Sequence, residues 1–204
     1  MILALLLASA PVMTAVDAER AFAADAQKLG QWSAFRRYAT TDALMFTPQP
    51  TKAQDFLKDR KDPPKAIEWW PAATYMSCDG RMAINTGPFK APGGGRGYFT
   101  TVWIRQADGS WKWVYDGGGE VATDQEKPVE VQTLTAECSD PRPKQAAVPG
   151  EDARQGVGVS ADRTLTYGWG MTPAGGRVFS VLMWNGESFD EVLRNEIKPP
   201  RPTR

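Results

Sequence analysis

Two Asp-Gly pairs, each lying between runs of β-forming residues, constrain the fold of this chain more than any other feature. Asp79-Gly80 separates YMSC from RMAI, and Asp108-Gly109 separates TVWIRQA from SWKWVYD. Asp and Gly tolerate the positive φ angles of a type I′ turn, so each pair predicts a tight hairpin. The segment that contains both pairs is therefore predicted to form an antiparallel sheet.

The hairpins also predict which side chains share a face of that sheet. With a two-residue turn at Asp79-Gly80, Tyr75 lies opposite Ile84. The same count around the second turn separates Val102, Ile104, Trp111, Trp113 and Tyr115 on one face from Thr101, Trp103, Arg105, Lys112, Val114 and Asp116 on the other. The first face is the more apolar, so we expect it to pack against helices.

The segment before the hairpins predicts those helices. Apolar residues recur at helical spacing as far as Leu29, and Gly30 follows as a stop signal. A second helix is predicted over 31–38, DALMFTP reads as a strand, and Thr51 is suited to cap a third helix. The expected fold class is α+β: a cone-like, curved antiparallel sheet packed on short N-terminal helices, with a β-rich C-terminal extension.

The pattern WWPAATYMSCDGRMAINTG…GYFTTVWIRQADGSWKWVYDGG resembles the SnoaL-like branch of the nuclear transport factor 2-like superfamily, including members of unknown function. The resemblance covers roughly residues 15–118. It implies a cone-shaped domain, commonly dimeric, with a pocket between sheet and helices. It implies no single activity, because the same fold carries isomerases, dehydratases, cyclases and assembly domains. The histidine that some dehydratase members use has no counterpart in this chain.

The C-terminal part repeats the pattern of the first two hairpins, with small gaps. The matches are Ser160 with Ser77, Asp162 with Asp79, Gly170 with Gly87, Gly176-Arg177 with Gly95-Arg96, Trp184 with Trp103, and Asn185-Gly186 with Asp108-Gly109. A true repeat and chance β patterning both stay open at this point. In either case Asn185-Gly186 predicts a third tight hairpin.

Four parts follow from these patterns. Residues 1–15 are predicted to be a signal peptide, 16–119 the SnoaL-like domain, 120–159 a strand plus a Pro-rich linker, and 160–198 a β-hairpin extension.

The N-terminal run MILALLLASAPVMTA has the length of a secretory signal rather than of a membrane span. We expect a periplasmic or secreted protein with no stable membrane anchor after processing. A misassigned start and a short lipid-facing anchor are the alternatives. In an oxidising compartment Cys78 could pair with Cys138, and the sequence leaves that pairing open.

Composition excludes several classes of function. Lys plus Arg and Asp plus Glu each number 24, so no net field attracts a polyanion, and we expect no nucleic-acid partner. The chain has no histidine, which removes the commonest general base and metal ligand. Two cysteines cannot complete a usual zinc site. We therefore expect neither a metal nor a cofactor.

Two aspartates are candidates for acid–base chemistry. Asp42 opens the first predicted strand, and Asp116 closes the last strand of the SnoaL-like domain. A carboxylate desolvated beside aromatic rings can act as a base near neutral pH, with a tyrosine stabilising an oxyanion. Purely structural roles, at a helix exit and at a glycine turn, are the alternative for both.

Aromatic residues suggest a binding function more directly. The candidate ligand-binding residues are Tyr38, Tyr75, Trp103, Trp113 and Tyr115, although core packing would explain the same side chains. The leading hypothesis is a module that binds a small apolar molecule or serves in homodimerisation and assembly. The alternative is a cofactor-free lyase or isomerase, so whether the protein is an enzyme stays open. A third reading makes the C-terminal extension a plug or a docking sheet.

Overall fold

A computed structural model describes residues 13–123, 125–139 and 154–199. Three helices precede the hairpins: α1 (Ala15–Leu29), α2 (Gln31–Tyr38) and α3 (Ala53–Leu57). Thr14 caps α1, because its side chain accepts the N–H of Asp17 while the Asp17 carboxylate accepts the N–H of Thr14. Cleavage after Ala15 would remove this cap. The rest of the predicted signal peptide lies outside the described residues.

The strands of the described chain are β1 (Ala39–Phe46), β2 (Pro50–Lys52), β3 (Glu68–Trp69), β4 (Ala73–Met76), β5 (Met82–Lys90), β6 (Arg96–Arg105), β7 (Trp111–Glu120), β8 (Gln132–Thr135), β9 (Gln155–Val159), β10 (Leu165–Met171), β11 (Arg177–Trp184) and β12 (Phe189–Ile197). They form two sheets. The larger sheet has the order β2-β1-β7-β6-β5-β4-β8, with β3 also paired to β5, and the smaller has the order β12-β11-β10-β9.

The larger sheet is curved and mixed rather than purely antiparallel. Strands β4 to β7 form the predicted antiparallel meander, but β1 runs parallel to β7 and β8 runs parallel to β4. No hairpin joins β1 to β7 or β4 to β8, so no tight turn imposes the antiparallel direction on these two pairs. β8 comes from the segment predicted to be a strand plus linker, and the predicted boundary at Gly119 falls inside β7.

The two predicted turns differ in their effect on register. Around Asp79-Gly80 the predicted pairing is confirmed, since Tyr75 lies opposite Ile84. Around the second turn the ladder is one residue out of the predicted register, because Gln106 donates its N–H to Ser110 O and the loop holds three residues, so that Arg105 lies opposite Trp111. A β-bulge between Val102 and Trp103 restores the predicted register beyond it, where Val102 lies opposite Tyr115. The bulge adds Val114 to β7.

The bulge reverses the predicted faces for part of β7. Trp103 now lies opposite Trp113, and both face the helices together with Trp111. Val102 and Tyr115 face the other side. The assignment of Trp111 and Trp113 to the face of Val102 was therefore wrong, because one extra residue shifts the alternation of side chains by one.

The smaller sheet covers the face of the larger sheet that points away from the helices. A shared core between the sheets contains Tyr75, Met82, Ile84, Val102, Tyr115, Leu165, Trp169, Phe179 and Val181. The molecule therefore has three layers, namely helices, the larger sheet and the smaller sheet. The chain's own C-terminal strands therefore cover the face of the larger sheet that lies away from the helices.

The smaller sheet repeats the hairpin turn of the larger one. The Ser77 hydroxyl donates to Asp79 Oδ1 at 2.6 Å, and the hydroxyl of Ser160 donates to Asp162 Oδ1 at the same distance. In each turn the serine oxygen also accepts a backbone N–H five residues later, at 3.0 Å. The local hydrogen bonding is thus the same in both turns, which supports the repeat.

The strand register corrects one of the residue matches in the proposed repeat. Met82 lies opposite Ile104, and the corresponding Leu165 lies opposite Met183. Trp184 is therefore equivalent to Arg105 and not to Trp103. The β10–β11 hairpin is shorter than the β5–β6 hairpin, which accounts for the gaps in the alignment. Asn185-Gly186 forms the predicted third hairpin, in which Asn185 donates its N–H to Ser188 O.

A disulfide joins Cys78 to Cys138. It connects the first hairpin turn to the segment that follows β8, and so attaches the edge strand of the larger sheet to the turn that contacts the smaller sheet.

Candidate functional site

The five predicted ligand-binding residues are divided between the two faces of the larger sheet. Tyr38, Trp103 and Trp113 lie on the helix side, whereas Tyr75 and Tyr115 lie between the sheets. Trp103 and Trp113 have no exposed surface, and Tyr115 is 1% exposed. These five side chains cannot line one pocket, and each of them packs in a core.

Aromatic rings occupy the space between the helices and the larger sheet, where the resemblance implies a pocket. The Phe22 ring lies 4.8 Å from Phe35, 4.8 Å from Trp69 and 5.9 Å from Trp103, measured between ring centroids. All three contacts are edge-to-face, the arrangement that aromatic pairs favour in cores. This ring cluster fixes α1 and α2 against the sheet.

One carboxylate is buried inside the ring cluster. Glu19 of α1 has no exposed surface and accepts hydrogen bonds from Trp69 Nε1 at 2.8 Å, Trp103 Nε1 at 2.7 Å and Asn85 Nδ2 at 3.2 Å. Burial raises the pKa of Glu19 to about 7, although the three hydrogen bonds favour its ionised form. Glu19 was not among the candidate site residues predicted from the sequence. The available signal was a charged residue on the apolar face of α1, four residues after Ala15.

Asp116 belongs to a polar row on the same side of the sheet. Thr74, Asn85, Thr101 and Asp116 lie opposite one another across β4, β5, β6 and β7. The Thr101 hydroxyl donates to Asp116 Oδ2 at 3.1 Å. The Asp116 residue keeps some surface exposed to solvent, but its carboxyl group is surrounded by protein atoms. This burial, and to a smaller extent the charge of Glu19, raises the pKa of Asp116 to about 7.

The predicted pairing of an aspartate base with a tyrosine is not formed by the described contacts. Asp42 is exposed on β1 and does not lie beside buried aromatic rings. Tyr115 directly precedes Asp116 in β7 and points to the opposite face of the sheet. The Tyr38 hydroxyl donates to Asp25 Oδ2 at 3.1 Å. Of the two predicted aspartates, Asp116 is the one that keeps the features expected of a base near neutral pH.

A cleft of about 700 Å³ opens at the glycine-rich end of β7. Its lining comprises Phe46, Pro48, Gly118, Gly119, Glu120, Val121, Ala122, Met171, Gly175, Arg177, Ile197, Lys198 and Pro199. Gly118 and Gly119 were predicted to form a turn but continue the strand, and they contribute backbone alone to the wall. A Cβ at Gly118 would lie 2.2 Å from the backbone oxygen of Tyr98, so the close approach of β6 and β7 requires glycine there.

Arg177 is the buried cation of this cleft. It lies at the start of β11 and is 5% exposed. Its guanidinium carbon lies 3.6 Å from the ring centroid of Phe46, and its Nη2 donates to Gly118 O at 3.2 Å. The hydroxyl of Tyr115 is a further hydrogen-bond partner. In the sequence, Arg177 stood out only because Gly176-Arg177 matches Gly95-Arg96 in the proposed repeat, and no functional role was predicted for it.

A second groove, of about 540 Å³, follows α1. Arg20, Ala24, Trp70 and Lys127 are among its lining residues, and the Lys127 ammonium lies 5.6 Å from the ring centroid of Trp70. Because the groove carries cations at its surface and no buried polar group of its own, it makes a weaker site than the cleft.

Residues 13–123, 125–139 and 154–199 contain no cluster of three or more acidic or cysteine side chains placed to hold a metal ion. Over the same ranges, no helix has both the length and the apolarity needed to cross a membrane.

No family model matches this chain, and no curated protein matches it in sequence. Solved structures resemble it over about half its length. A structure from Parabacteroides distasonis, described as a proposed ketosteroid isomerase, is 14% identical and covers 53% of this chain and 89% of its own, with a TM-score of 0.44. A proposed ketosteroid isomerase from Shewanella frigidimarina is 18% identical over 53% of this chain and 97% of its own, with a TM-score of 0.40.

The CaMKII hub of S. rosetta is 19% identical, covers 55% of this chain and 100% of its own, and has a TM-score of 0.39. Each of these likenesses extends over about half of this chain.

Proposed function

We propose that this protein binds a small, largely apolar molecule in the cleft between its two sheets. The observation that carries the proposal is the cleft itself, whose volume of about 700 Å³ falls within the roughly 300–1,000 Å³ range of ligand sites. Phe46, Pro48, Met171 and Ile197 supply apolar surface to its walls. The proposed site is therefore not the one implied by the resemblance, which lies between helices and sheet.

Two features of the fold support a preformed site. The cleft is built where the ends of both sheets meet, and its glycine wall is held in the β6–β7 ladder. A rigid wall lowers the free-energy cost of ordering the protein when a ligand binds. The apolar surface between helices and sheet, by contrast, is already covered by the ring cluster around Phe22.

Nile red, an uncharged apolar dye, tests this proposal in a fluorescence titration. Ala122 is an exposed residue of the cleft, and Ala24 is an exposed residue of the α1 groove. We expect saturable binding to the unmodified protein, a loss of about tenfold or more in affinity for Ala122→Trp, and little change for the matched control Ala24→Trp. Absence of saturable binding, or a loss confined to Ala24→Trp, would overturn the proposal.

A cofactor-free lyase or isomerase is the second candidate, and the pKa of Asp116 near 7 favours it. Such a base is half protonated at neutral pH and can both take up and return a proton. The test is turnover of a panel of carbonyl and hydroxyacyl compounds by the protein and by Asp116→Asn. An enzyme requires that the variant stay folded and lose turnover, whereas loss of stability without any detectable parent activity would end this candidate.

Homodimerisation and export are further proposals. The smaller sheet covers one face of the larger sheet and the helices cover the other, so a homodimer would have to use edges or other surfaces. The Cys78–Cys138 disulfide supports an oxidising compartment, periplasmic or extracellular. Sedimentation of the purified protein and fractionation of the producing cells test the two proposals separately.

A further inference from the structure

We infer that the ligand of the cleft carries a carboxylate, and that Arg177 recognises it; this inference rests on the proposed function. The ligand class is then an apolar molecule with one acidic group, such as a medium-chain or aromatic carboxylic acid. Arg177 is a positioning and recognition residue in this scheme, and no bond is made or broken.

The positive charge of Arg177 is buried without a close counter-ion in the part of the chain that the structure describes. Among the described residues, no carboxylate oxygen lies within 4.0 Å of its guanidinium nitrogens. Its Nε also lacks a hydrogen-bond partner within that part of the chain. A buried arginine is ordinarily paired, because desolvating an uncompensated charge costs several kcal/mol.

Three ionisable side chains of the protein affect the pKa of Arg177. Burial lowers the pKa of Arg177, while Tyr115, Tyr98 and Asp116 act in the opposite direction. Two of these three are tyrosines, which are neutral near pH 7. Asp116 is the only carboxyl group among them, and its pKa of about 7 leaves it partly protonated at neutral pH. The cation therefore has incomplete compensation from the protein.

Two contacts position the guanidinium of Arg177. Phe46 covers one face of the guanidinium, and the Gly118 carbonyl takes one of its donors. A guanidinium stacked on a ring is held in one orientation, which favours the planar, paired hydrogen bonds that a carboxylate accepts. The apolar side chains of the same cleft would contact the rest of the ligand.

The charged side chains at the mouth of the cleft would not by themselves select a ligand that carries a carboxylate. Lys198 and Glu120 both line the cleft and both are exposed. Their opposite charges largely offset one another, and solvent screens them. Lys198 therefore provides a control for Arg177, since both are cations of one cleft and differ in burial.

Competition against Nile red tests the inference with decanoate and 1-decanol, which share a chain length and differ in charge. On the unmodified protein at pH 7.5, we expect decanoate to displace the dye with an affinity about tenfold or more above that of decanol. Arg177→Met should abolish this preference while leaving decanol within about threefold, and Lys198→Met should retain it.

The outcomes separate the two proposals. If the dye binds in the cleft but decanoate and decanol displace it equally, the carboxylate inference is wrong and the apolar site stands. If the preference survives in Arg177→Met, another group recognises the anion and Arg177 is not the recognition residue. Should Arg177→Met fail to fold, the comparison of the two competitors on the unmodified protein still decides whether the cleft prefers an anion. Absence of dye binding overturns both proposals.

Discussion

The backbone N–H of Asp79 donates to Asp162 Oδ2 at 2.7 Å, so the first turn of the larger sheet is bonded directly to the equivalent turn of the smaller sheet. A second bond, from Cys78 N to Thr164 Oγ1 at 2.9 Å, lies beside it. Asp162 also accepts hydrogen bonds within its own turn, from Ser160 Oγ and from the backbone of Thr164. One carboxylate therefore holds both its own turn and the contact between the sheets.

Replacement of Asp162 by alanine should destabilise the protein by about 1–2 kcal/mol in urea unfolding, because the N–H of Asp79 loses its acceptor. Asp108→Ala is the matched control. Asp108 accepts the same kind of hydrogen bonds from Ser110 but contacts no second turn, and its replacement should cost clearly less. Equal effects of the two substitutions would show that the contact between the turns contributes nothing to stability.

Asp162 should also make stability depend on acid. Burial acts to raise its pKa, but the hydrogen bonds from Ser160, Asp79 and Thr164 outweigh burial and hold the pKa below its usual value. The contribution is therefore present above the pKa of an unfolded aspartate, about 3.9, and is lost as the pH falls below it. The unfolding midpoint of Asp162→Ala should decline less than that of the parent between pH 5 and pH 3.

Glu19 should have the opposite pH dependence. Its pKa is about 7 in the folded protein and 4.5 when unperturbed, so between these values the folded protein holds a proton that the unfolded chain has lost. Stability therefore falls as the pH rises through this range, by at most about 3 kcal/mol from Glu19. Asp116 acts in the same direction, because burial and the charge of Glu19 raise its pKa as well.

The variant Glu19→Gln should flatten that slope between pH 5 and pH 8, although it should also lower stability at every pH. An amide brings its own N–H₂ group toward the donors Trp69, Trp103 and Asn85, so at least one donor loses its acceptor. Glu68→Gln, at an exposed position, is the control and should leave the slope unchanged. An unaltered slope in Glu19→Gln would contradict the titration of this carboxyl group.

Two buried tryptophans offer a comparison of hydrogen bonding at nearly constant ring burial. Trp103 Nε1 donates to Glu19, whereas Trp113 Nε1 has no partner among the described residues. Both side chains have no exposed surface. We expect Trp103→Phe to cost about 1–3 kcal/mol more than Trp113→Phe in urea unfolding, because it leaves a buried carboxylate with one donor fewer. Equal costs would indicate that ring volume alone decides.

The disulfide should contribute substantially to stability. Cys78 and Cys138 are 60 residues apart, and closing a loop of that length in the unfolded chain is worth about 4 kcal/mol in the chain-entropy description. The double variant Cys78→Ser, Cys138→Ser should unfold at lower urea concentration by a corresponding amount. Reductant should lower the stability of the parent toward that of the variant and leave the variant unaffected.

Two free thiols in the purified, alkylated parent, found by intact mass, would refute the disulfide. The same measurement, made on protein from its natural compartment, reports the processed N-terminus. Because Thr14 caps α1, we expect a mature chain that retains Thr14.

Local sequence signals predicted the elements well where a few neighbouring residues decide the structure. The Asp-Gly turns, the Asn185-Gly186 turn and the first two helices depend on turn chemistry and on helical spacing, and each is found where it was predicted. Repetition of the Ser-x-Asp turn at Ser160 was likewise visible in the sequence. These features need no contact with distant parts of the chain.

The candidate site could not be predicted in the same way, because distant contacts create it. Trp103 and its acceptor Glu19 are 84 residues apart, and Arg177 and Gly118 are 59 residues apart. The position of Glu19 on the apolar face of α1 is a local signal of its burial, but nothing in the neighbourhood of Arg177 marks that residue as buried. The β-bulge at Val114 had a similar effect, because one inserted residue moved two tryptophans to the opposite face.

The sequence by itself determined the α+β class, the positions of the hairpins and the duplication of the turn, because these follow from local backbone preferences. The tertiary structure alone decided that the second sheet covers the first, that Glu19 and Asp116 are desolvated near one another, and that Arg177 is buried at a cleft. The physical reason is that the pKa and pairing of a charge depend on everything packed around it, and here that packing joins residues far apart in the chain.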